Sequence, residues 1–272
     1  MEPADSSLFL VCELDFGRLR IERRGGGRLL LPVAPCLLRQ SERVVLVDAG
    51  FDAGLAERVP GVEWLRPPRD LAAQLEALGL RPDDVSDVVL THLHDDHASG
   101  VLDHAGGGAA YPNARLHVQE LALWRGFERV ARGGERFVSF ELLEWLDEWP
   151  LTVRHHGDWR LCEGIAVYHT GGHTPGHQAV LAGGGALERR AAEALEYRPA
   201  GGDPTRATDD LLLAGDLLSL KACFDPAFRT SSDVEPGRAL ARRQELATAA
   251  RAGLNCYLYH GSPGRRIWRP LD

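Results

Sequence analysis

Residues 91–97 read Thr91-His92-Leu93-His94-Asp95-Asp96-His97, directly after the apolar triplet Val88-Val89-Leu90. In a nearly extended chain, side chains at i and i+2 point the same way. His92 and His94 can therefore offer two imidazoles to one cation. Asp96 and His97 follow on the next bend and can face a second cation close by. Imidazoles with carboxylates suit zinc, and iron or manganese as well, so donor type alone does not select the metal. Asp95, between them, is expected to be solvated, yet close enough to touch a substrate.

Three more candidate ligands sit at or just past strand ends. His173 lies in Gly171-Gly172-His173-Thr174-Pro175-Gly176-His177, after the run Ile165–His169. Its glycines let backbone crowd an ion, and Pro175 stiffens the loop. Asp216 follows Leu211–Leu213 in Ala214-Gly215-Asp216, and its two oxygens can bind separate ions. His260 ends the run Cys256–Tyr259 and precedes Gly261. Strand ends that converge on one sheet edge are where α/β folds place sites.

The rest of the chain supplies the frame. Leu8–Leu14, Arg18–Ile21, Leu29–Val33 and Val44–Val47 read as short strands broken by turns such as Gly25-Gly26-Gly27. Further strands are expected at Arg115–Val118, Ala179–Leu181 and the runs named above. Helices are expected over Asp70–Leu78, Glu135–Leu146 and Gly237–Ala252, the last opened by Pro236 and closed by Gly253. Phe51–Arg69 and Gly183–Asp210 read as long excursions, either lids or solvated loops. A run of strands followed by strands alternating with helices predicts a layered α/β domain, taken as one unit over 1–272.

Composition narrows the function classes. The 272 residues are 44% hydrophobic, with a net charge of −8 and no dense Lys/Arg run, which disfavours nucleic acid as a partner. No stretch approaches the roughly 20 apolar residues that span a bilayer. The acidic start Met1-Glu2-Pro3-Ala4-Asp5 and five scattered cysteines predict a cytoplasmic chain without disulfides. Eleven histidines against one methionine is heavier histidine use than packing requires.

The motifs HLHDDH (92–97), GGHTPGH (171–177), AGD (214–216) and the late YHG (259–261), in this order, resemble the metallo-β-lactamase superfamily, and Val47-Asp48-Ala49-Gly50 resembles its first motif. The resemblance implies an αββα sandwich: two mixed sheets packed face to face with helices outside. It implies two divalent ions, one held by His92, His94 and His173, the other by Asp96, His97 and His260, with Asp216 bridging. Asp48 and His177 would orient ligands through hydrogen bonds. His104, His117, His155, His156 and His169 match no motif and read as ordinary surface or core residues.

Two cations about 3.5–4 Å apart can share a hydroxide whose parent water is acidified to a pKa of about 7. Asp96 or Asp216 could then pass a proton to the leaving group. Within the superfamily the chain looks most like the N-acyl-homoserine lactonases, on its size, on Pro112-Asn113-Ala114-Arg115 before Gln119-Glu120, and on the YHG ending. Hydrolysis of a lactone or ester is therefore expected, with quorum quenching as the role the resemblance implies. The substrate would be a small molecule, and a homodimer is compatible with this reading. A thioesterase acting on a carrier-bound or free acyl thioester is the alternative, and a phosphodiesterase a weaker one. Two positions depart from the lactonase pattern: Ser219 stands where those enzymes carry a Tyr, and Asp95 where an aromatic is common. Phe224 and Phe228 could line an apolar pocket near Ser219, or be ordinary core.

Overall fold

The apolar runs of the central strands have no polar face because both of their faces are covered. The computed structural model describes residues 9–14, 17–22, 28–40, 42–52, 62–66, 71–103, 108–134, 137–183, 195–199, 207–208, 210–251, 254–262 and 266–268. Its strands are β1 Phe9–Glu13, β2 Gly17–Glu22, β3 Arg28–Val33, β4 Cys36–Gln40, β5 Arg43–Val47, β6 Val62–Arg66, β7 Asp87–Val89, β8 Leu102–Asp103, β9 Gly108–Ala109 and β10 Arg115–Gln119. They continue as β11 Thr152–His155, β12 Trp159–Cys162, β13 Ile165–His169, β14 Gln178–Ala182, β15 Leu195–Pro199, β16 Ala207–Thr208, β17 Leu211–Leu213, β18 Asn255–Tyr257 and β19 Ile267–Trp268. The helices are α1 Leu71–Ala77, α2 Asp95–Ala98, α3 Glu120–Ala131, α4 Phe140–Glu148 and α5 Pro236–Arg251.

An eight-stranded sheet runs β11-β10-β7-β5-β4-β1-β15-β16, and a six-stranded sheet runs β12-β13-β14-β17-β18-β19. Alternation along each strand sorts side chains into three apolar layers. Val45, Val47 and Val89 from the first sheet meet Val167, Val180, Leu213 and Tyr257 from the second between the sheets. Val44, Leu46 and Val88 point outward and pack with Leu75 of α1, Leu123 of α3 and Leu142, Leu143 and Leu146 of α4. Leu212 and Cys256 point outward from the second sheet onto Ala247 and Ala250 of α5. This is the αββα sandwich.

Strands β5, β7, β10 and β11 are mutually parallel, and so are β17 and β18. In the second sheet His169 pairs with Gln178, Val180 with Leu213, and Leu213 with Tyr257. The β13–β14 connection therefore lies at the same end as the exits of β17 and β18. All candidate ligands leave strands at one end of the sandwich because of this register.

Several elements differ from expectation. The expected helix over Glu135–Leu146 begins only at Phe140, because the Ser139 hydroxyl caps it by accepting from Leu142 N at 3.3 Å. Helix α3 was not anticipated, since Gly126 interrupts its pattern and glycine weakens a helix interior. Gly126 lets α4 pack closely there: a Cβ would sit 2.8 Å from a Leu143 methyl, which would have to shift. Within the two long excursions, β6 pairs with β2, and β15 and β16 extend the edge beyond β1; residues 53–61, 67–69, 184–194, 200–206 and 209, like His104, lie outside the described residues. Phe224 packs edge-on against Trp268 at 4.3 Å, and Phe228 packs on the same cluster under α5, so both belong to the core. Cys36, Cys223 and Cys256 are buried free thiols. Among the described residues no helix is long and apolar enough to cross a membrane.

The opposite end of the sandwich is tied by Asp87, which opens β7 and is fully buried. Its carboxylate accepts from Arg43 Nη1 at 2.7 Å, Arg115 Nε at 2.9 Å, Ser86 Oγ at 2.9 Å and His117 Nε2 at 2.9 Å. His117 Nδ1 in turn meets His155 Nε2 at 3.0 Å, and the His155 ring stacks on Trp159 at 3.6 Å. Burial pushes the Asp87 carboxyl up, but the His117 and Ser86 hydrogen bonds and the Arg115 charge outweigh it and bring it down to about 2. A depressed carboxyl stabilises the fold above its unfolded value and loses that contribution as pH falls through its folded value. Asp87→Asn should therefore cost about 2 kcal/mol at pH 7, and the gap to wild type should close between about pH 4 and pH 2. Urea unfolding at pH 7 and pH 3 measures this, and an equal gap at both pH values would place the stabilisation elsewhere.

Candidate metal centre

After β7 the chain stays extended through His94, then turns into the one-turn helix α2, which carries Asp95, Asp96 and His97. His173 sits in the β13–β14 connection, Asp216 in the 3-10 turn Gly215–Leu217 after β17, and His260 in the turn after β18. Folding brings these into two groups. Nitrogens of His92, His94 and His173 and an Asp216 oxygen form one; Asp96, His97 and His260 form the other. Within each group the ligand atoms all lie within 4.8 Å of one another.

Asp216 stands between the groups. Its Oδ2 is 3.4 Å from His173 Nε2, while its Oδ1 is 3.2 Å from His97 Nε2 and 3.0 Å from His260 Nε2. The two oxygens thus face different groups. Asp96 Oδ2 completes the second, 3.6 Å from His260 Nε2 and 3.8 Å from His97 Nε2.

The far nitrogens of four of the imidazoles are fixed from outside. His97 Nδ1 meets Asp48 Oδ2 at 2.8 Å, His260 Nδ1 donates to Pro32 O at 2.7 Å, and His173 Nδ1 meets Asp233 Oδ1 at 3.1 Å. His92 Nδ1 lies 3.1 Å from Thr91 Oγ1. Such bonds set the tautomer and aim the other nitrogen inward. Asp48 is held in the left-handed region at φ 59°, uncommon for a residue with a Cβ. Its carboxylate accepts from Thr91 N at 2.7 Å and Thr91 Oγ1 at 2.9 Å, which fastens the start of the histidine loop.

The donor set fits a pair of cations. His92 Nε2, His97 Nε2, His260 Nε2 and Asp216 Oδ1 are buried without a hydrogen-bond partner, a costly state for polar atoms. Burial, then the neighbouring His97, His94 and His173, hold His92 well below the usual imidazole range, so its lone pair stays available. Burial opposes charge on His97 too, but Asp48, Asp96 and Asp216 overcome it and raise its proton affinity. Burial would likewise raise Asp216, yet His260 and His97 keep it well below the usual carboxylate range. Carboxylates that draw a proton to His97 would draw a divalent ion in its place, because ligand binding by imidazole requires the neutral ring.

All seven sequence-derived candidates meet in this cluster. His177 belongs to neither group: its Nδ1 is bonded to Thr170 Oγ1 at 2.7 Å, and its ring centre is 5.3 Å from that of His92. Asp95 corrects the expectation. It is buried rather than solvated, its Oδ1 accepting from Ser139 N at 3.2 Å while its own N–H donates to Phe137 O at 2.7 Å. It joins the histidine loop to the start of α4. Sequence reasoning missed Asp233 and Tyr259. The Tyr259 ring stacks on His97 at 3.9 Å and 21°, and its hydroxyl donates to Asp96 O at 2.6 Å. Its place in the strand before His260 was a signal for alternation but not for this contact.

Two sheets packed face to face, helices outside, and a buried histidine–aspartate cluster where the strands end define a sandwich built around a paired metal-type site. The chain belongs to the metallo-beta-lactamase superfamily, whose family profile matches residues 30–186. It is 29% identical over 181 residues to an N-acyl homoserine lactonase of a Bacillus species, an alignment covering 62% of this chain and 66% of that protein. The chain thus matches just under two thirds of that relative's length. Its fold is like that of a probable metal-dependent hydrolase from Staphylococcus aureus, with a TM-score of 0.72, 18% identity and coverage of 94% and 91% of the two chains. A quorum-quenching N-acyl homoserine lactone lactonase gives a TM-score of 0.68 at 19% identity, covering 97% of this chain and 99% of that one.

Seven donors exceed what one tetrahedral ion can use. Elemental analysis after metal loading should give more than one equivalent per chain; a value of one or less overturns the dinuclear reading. His173→Ala should strip metal, whereas His177→Ala should lower activity by roughly 10–100-fold with metal largely retained. Equal metal loss in both variants would move His177 into the ligand set.

Proposed function

We propose that the protein is a dinuclear metal-dependent hydrolase of a lactone or carboxylic ester, with N-acyl homoserine lactones as the first substrates to test. The observation that carries this reading is the placement of Asp216, whose two oxygens face the two ligand groups separately. The lactonase relative supports the substrate class. Zinc is the metal we favour, with iron or manganese compatible with the same donors.

In this reading His92, His94 and His173 hold one ion, Asp96, His97 and His260 the other, and Asp216 both. Two such ions supply an acidified water and an electrophile for the substrate carbonyl. The chain's own groups do the rest. Asp96 and Asp216 are the carboxylates placed to take up a proton and return it to the leaving oxygen. Tyr259, by holding the Asp96 carbonyl and stacking on His97, keeps that side of the cluster rigid. Phe137, whose ring meets that of His94 edge-on at 6.1 Å, offers an apolar flank for the acyl part of a substrate.

Ser219 bears on substrate size. It is buried, and its carbonyl accepts from His260 N at 3.1 Å, so its backbone helps set His260. Its side chain is shorter than the Tyr expected at this position, which in this reading fits a substrate bulkier than a simple lactone.

A panel of lactones, thioesters and phosphodiesters, run on metal-analysed protein, tests the reaction class. Turnover confined to thioesters or phosphodiesters would replace the lactone reading. Asp216→Ala should abolish hydrolysis and loosen at least one ion, because two cations without their shared anion repel. Ser219→Tyr should lower kcat/KM on the best panel substrate while leaving short acyl-homoserine lactones unchanged or improved. Efficient wild-type cleavage of those short lactones, slowed by Ser219→Tyr, would refute the size reading.

A further inference from the structure

Helix α5 buries a cation against the metal centre. Arg243 lies on the helix face that also carries Ala239, Ala247 and Ala250, and its side chain is only 2% exposed. Its Nε donates to Leu217 O at 3.0 Å. Its Nη1 and Nη2 donate to Asp233 Oδ2 at 2.6 Å and Oδ1 at 2.7 Å. Leu217 is the residue after Asp216 in the same 3-10 turn, and Asp233 Oδ1 is the atom that meets His173 Nδ1. One guanidinium therefore touches the turn that carries Asp216 and the carboxylate that aims His173.

The His173 loop is docked on the start of α5 by other bonds as well. Val234 N donates to His173 O at 2.9 Å, and Glu235 N donates to Gly172 O at 3.0 Å. Gly172, at φ +90°, lets the helix approach, since a Cβ there would stand 2.7 Å from Ala239 Cα. These contacts seat the loop on the helix. They belong to residues 172–173, however, and leave the distance from His173 to Asp216 to something that reaches both. Arg243 does.

We propose that Arg243 is a positioning residue of the metal centre, setting the separation of the His173 imidazole and the Asp216 carboxylate through Asp233 and Leu217. This rests on reading His173 and Asp216 as metal ligands. A planar fork with donors on three nitrogens can serve an acceptor on each side at once, which the point charge of a lysine cannot. Without it Asp233 is a buried carboxylate free to turn, and His173 loses its fixed orientation.

The test uses the full chain, stripped of metal and titrated with Co²⁺, with affinity read by chelator competition and geometry by the visible absorption bands. Wild type should bind two Co²⁺. Arg243→Met and Arg243→Lys should weaken one of the two ions by about 10–100-fold and shift its bands, and Asp233→Asn should act in the same direction. Thermal unfolding of the metal-free variants is measured alongside. A lower Tm with unchanged Co²⁺ affinity and spectrum would mean that Arg243 only supports the fold, and the proposal falls. If Arg243→Met does not fold, Arg243→Lys and Asp233→Asn decide by the same criterion. Wild type that binds no Co²⁺ would overturn the ligand reading itself, a result distinct from a wild type that binds two ions and variants that match it.

Discussion

Two buried carboxylates, those of Asp48 and Asp96, and the partly buried carboxylate of Asp216 lie among imidazoles at one end of a sandwich whose interior is otherwise largely apolar. Burying charge is unfavourable unless each group is paired, and this requirement organises everything around it. Asp48 is paired on the outside, by Thr91 and by His97 Nδ1. Asp216 and Asp96 face inward with the Nε2 atoms of His97 and His260. The cluster is thus a shell of fixed dipoles and anions around a small polar interior, a donor set that fits the pair of cations proposed for it.

The imidazoles of His97, His173 and His260 each depend on an outward partner from a different part of the chain. Pro32 comes from the small sheet β3-β2-β6, Asp48 from the exit of β5, and Asp233 from the approach to α5. The site is therefore as rigid as the packing of the sandwich, because moving any one layer turns an imidazole. The strained backbone at Asp48 belongs to the same logic: a left-handed residue persists where surrounding bonds over-determine it, and here its carboxylate makes three bonds to residues 91–97 while its N–H donates to Val89 O of β7. The tie at Asp87 does the corresponding work at the other end, where β5, β7 and β10 start or pair.

For a hydrolase, this rigidity has a chemical use. Dipoles already aimed at the reacting centre need not reorganise when charge develops on a substrate oxygen. What remains adjustable is the rim: Phe137 beside His94, and the side chain at Ser219. Substrate choice in this reading depends on that rim, while the buried shell serves any carbonyl that reaches it.

The order and spacing of HLHDDH, GGHTPGH, AGD and YHG were enough to name all seven members of the cluster, because ligand-bearing loops are short and each motif carries its own strand end. Strand periodicity reached as far as a layered α/β domain, since residues such as Val44–Val47 must be covered on both faces; the αββα sandwich rests on the motif resemblance and on the packing of the layers. Local signals failed where the deciding contact is distant in sequence. Asp95 reads as a solvated charge in a polar loop, and only the approach of Ser139 shows why it is buried. Arg243 had a faint local signal, one arginine in a small-residue face at 239, 243, 247 and 250, yet its partners Asp233 and Leu217 lie in other segments. Chemistry carried by consecutive residues was legible in one dimension; orientation was not, because His97, His173 and His260 are aimed by Asp48, Asp233 and Pro32, which only the packing of layers brings within reach.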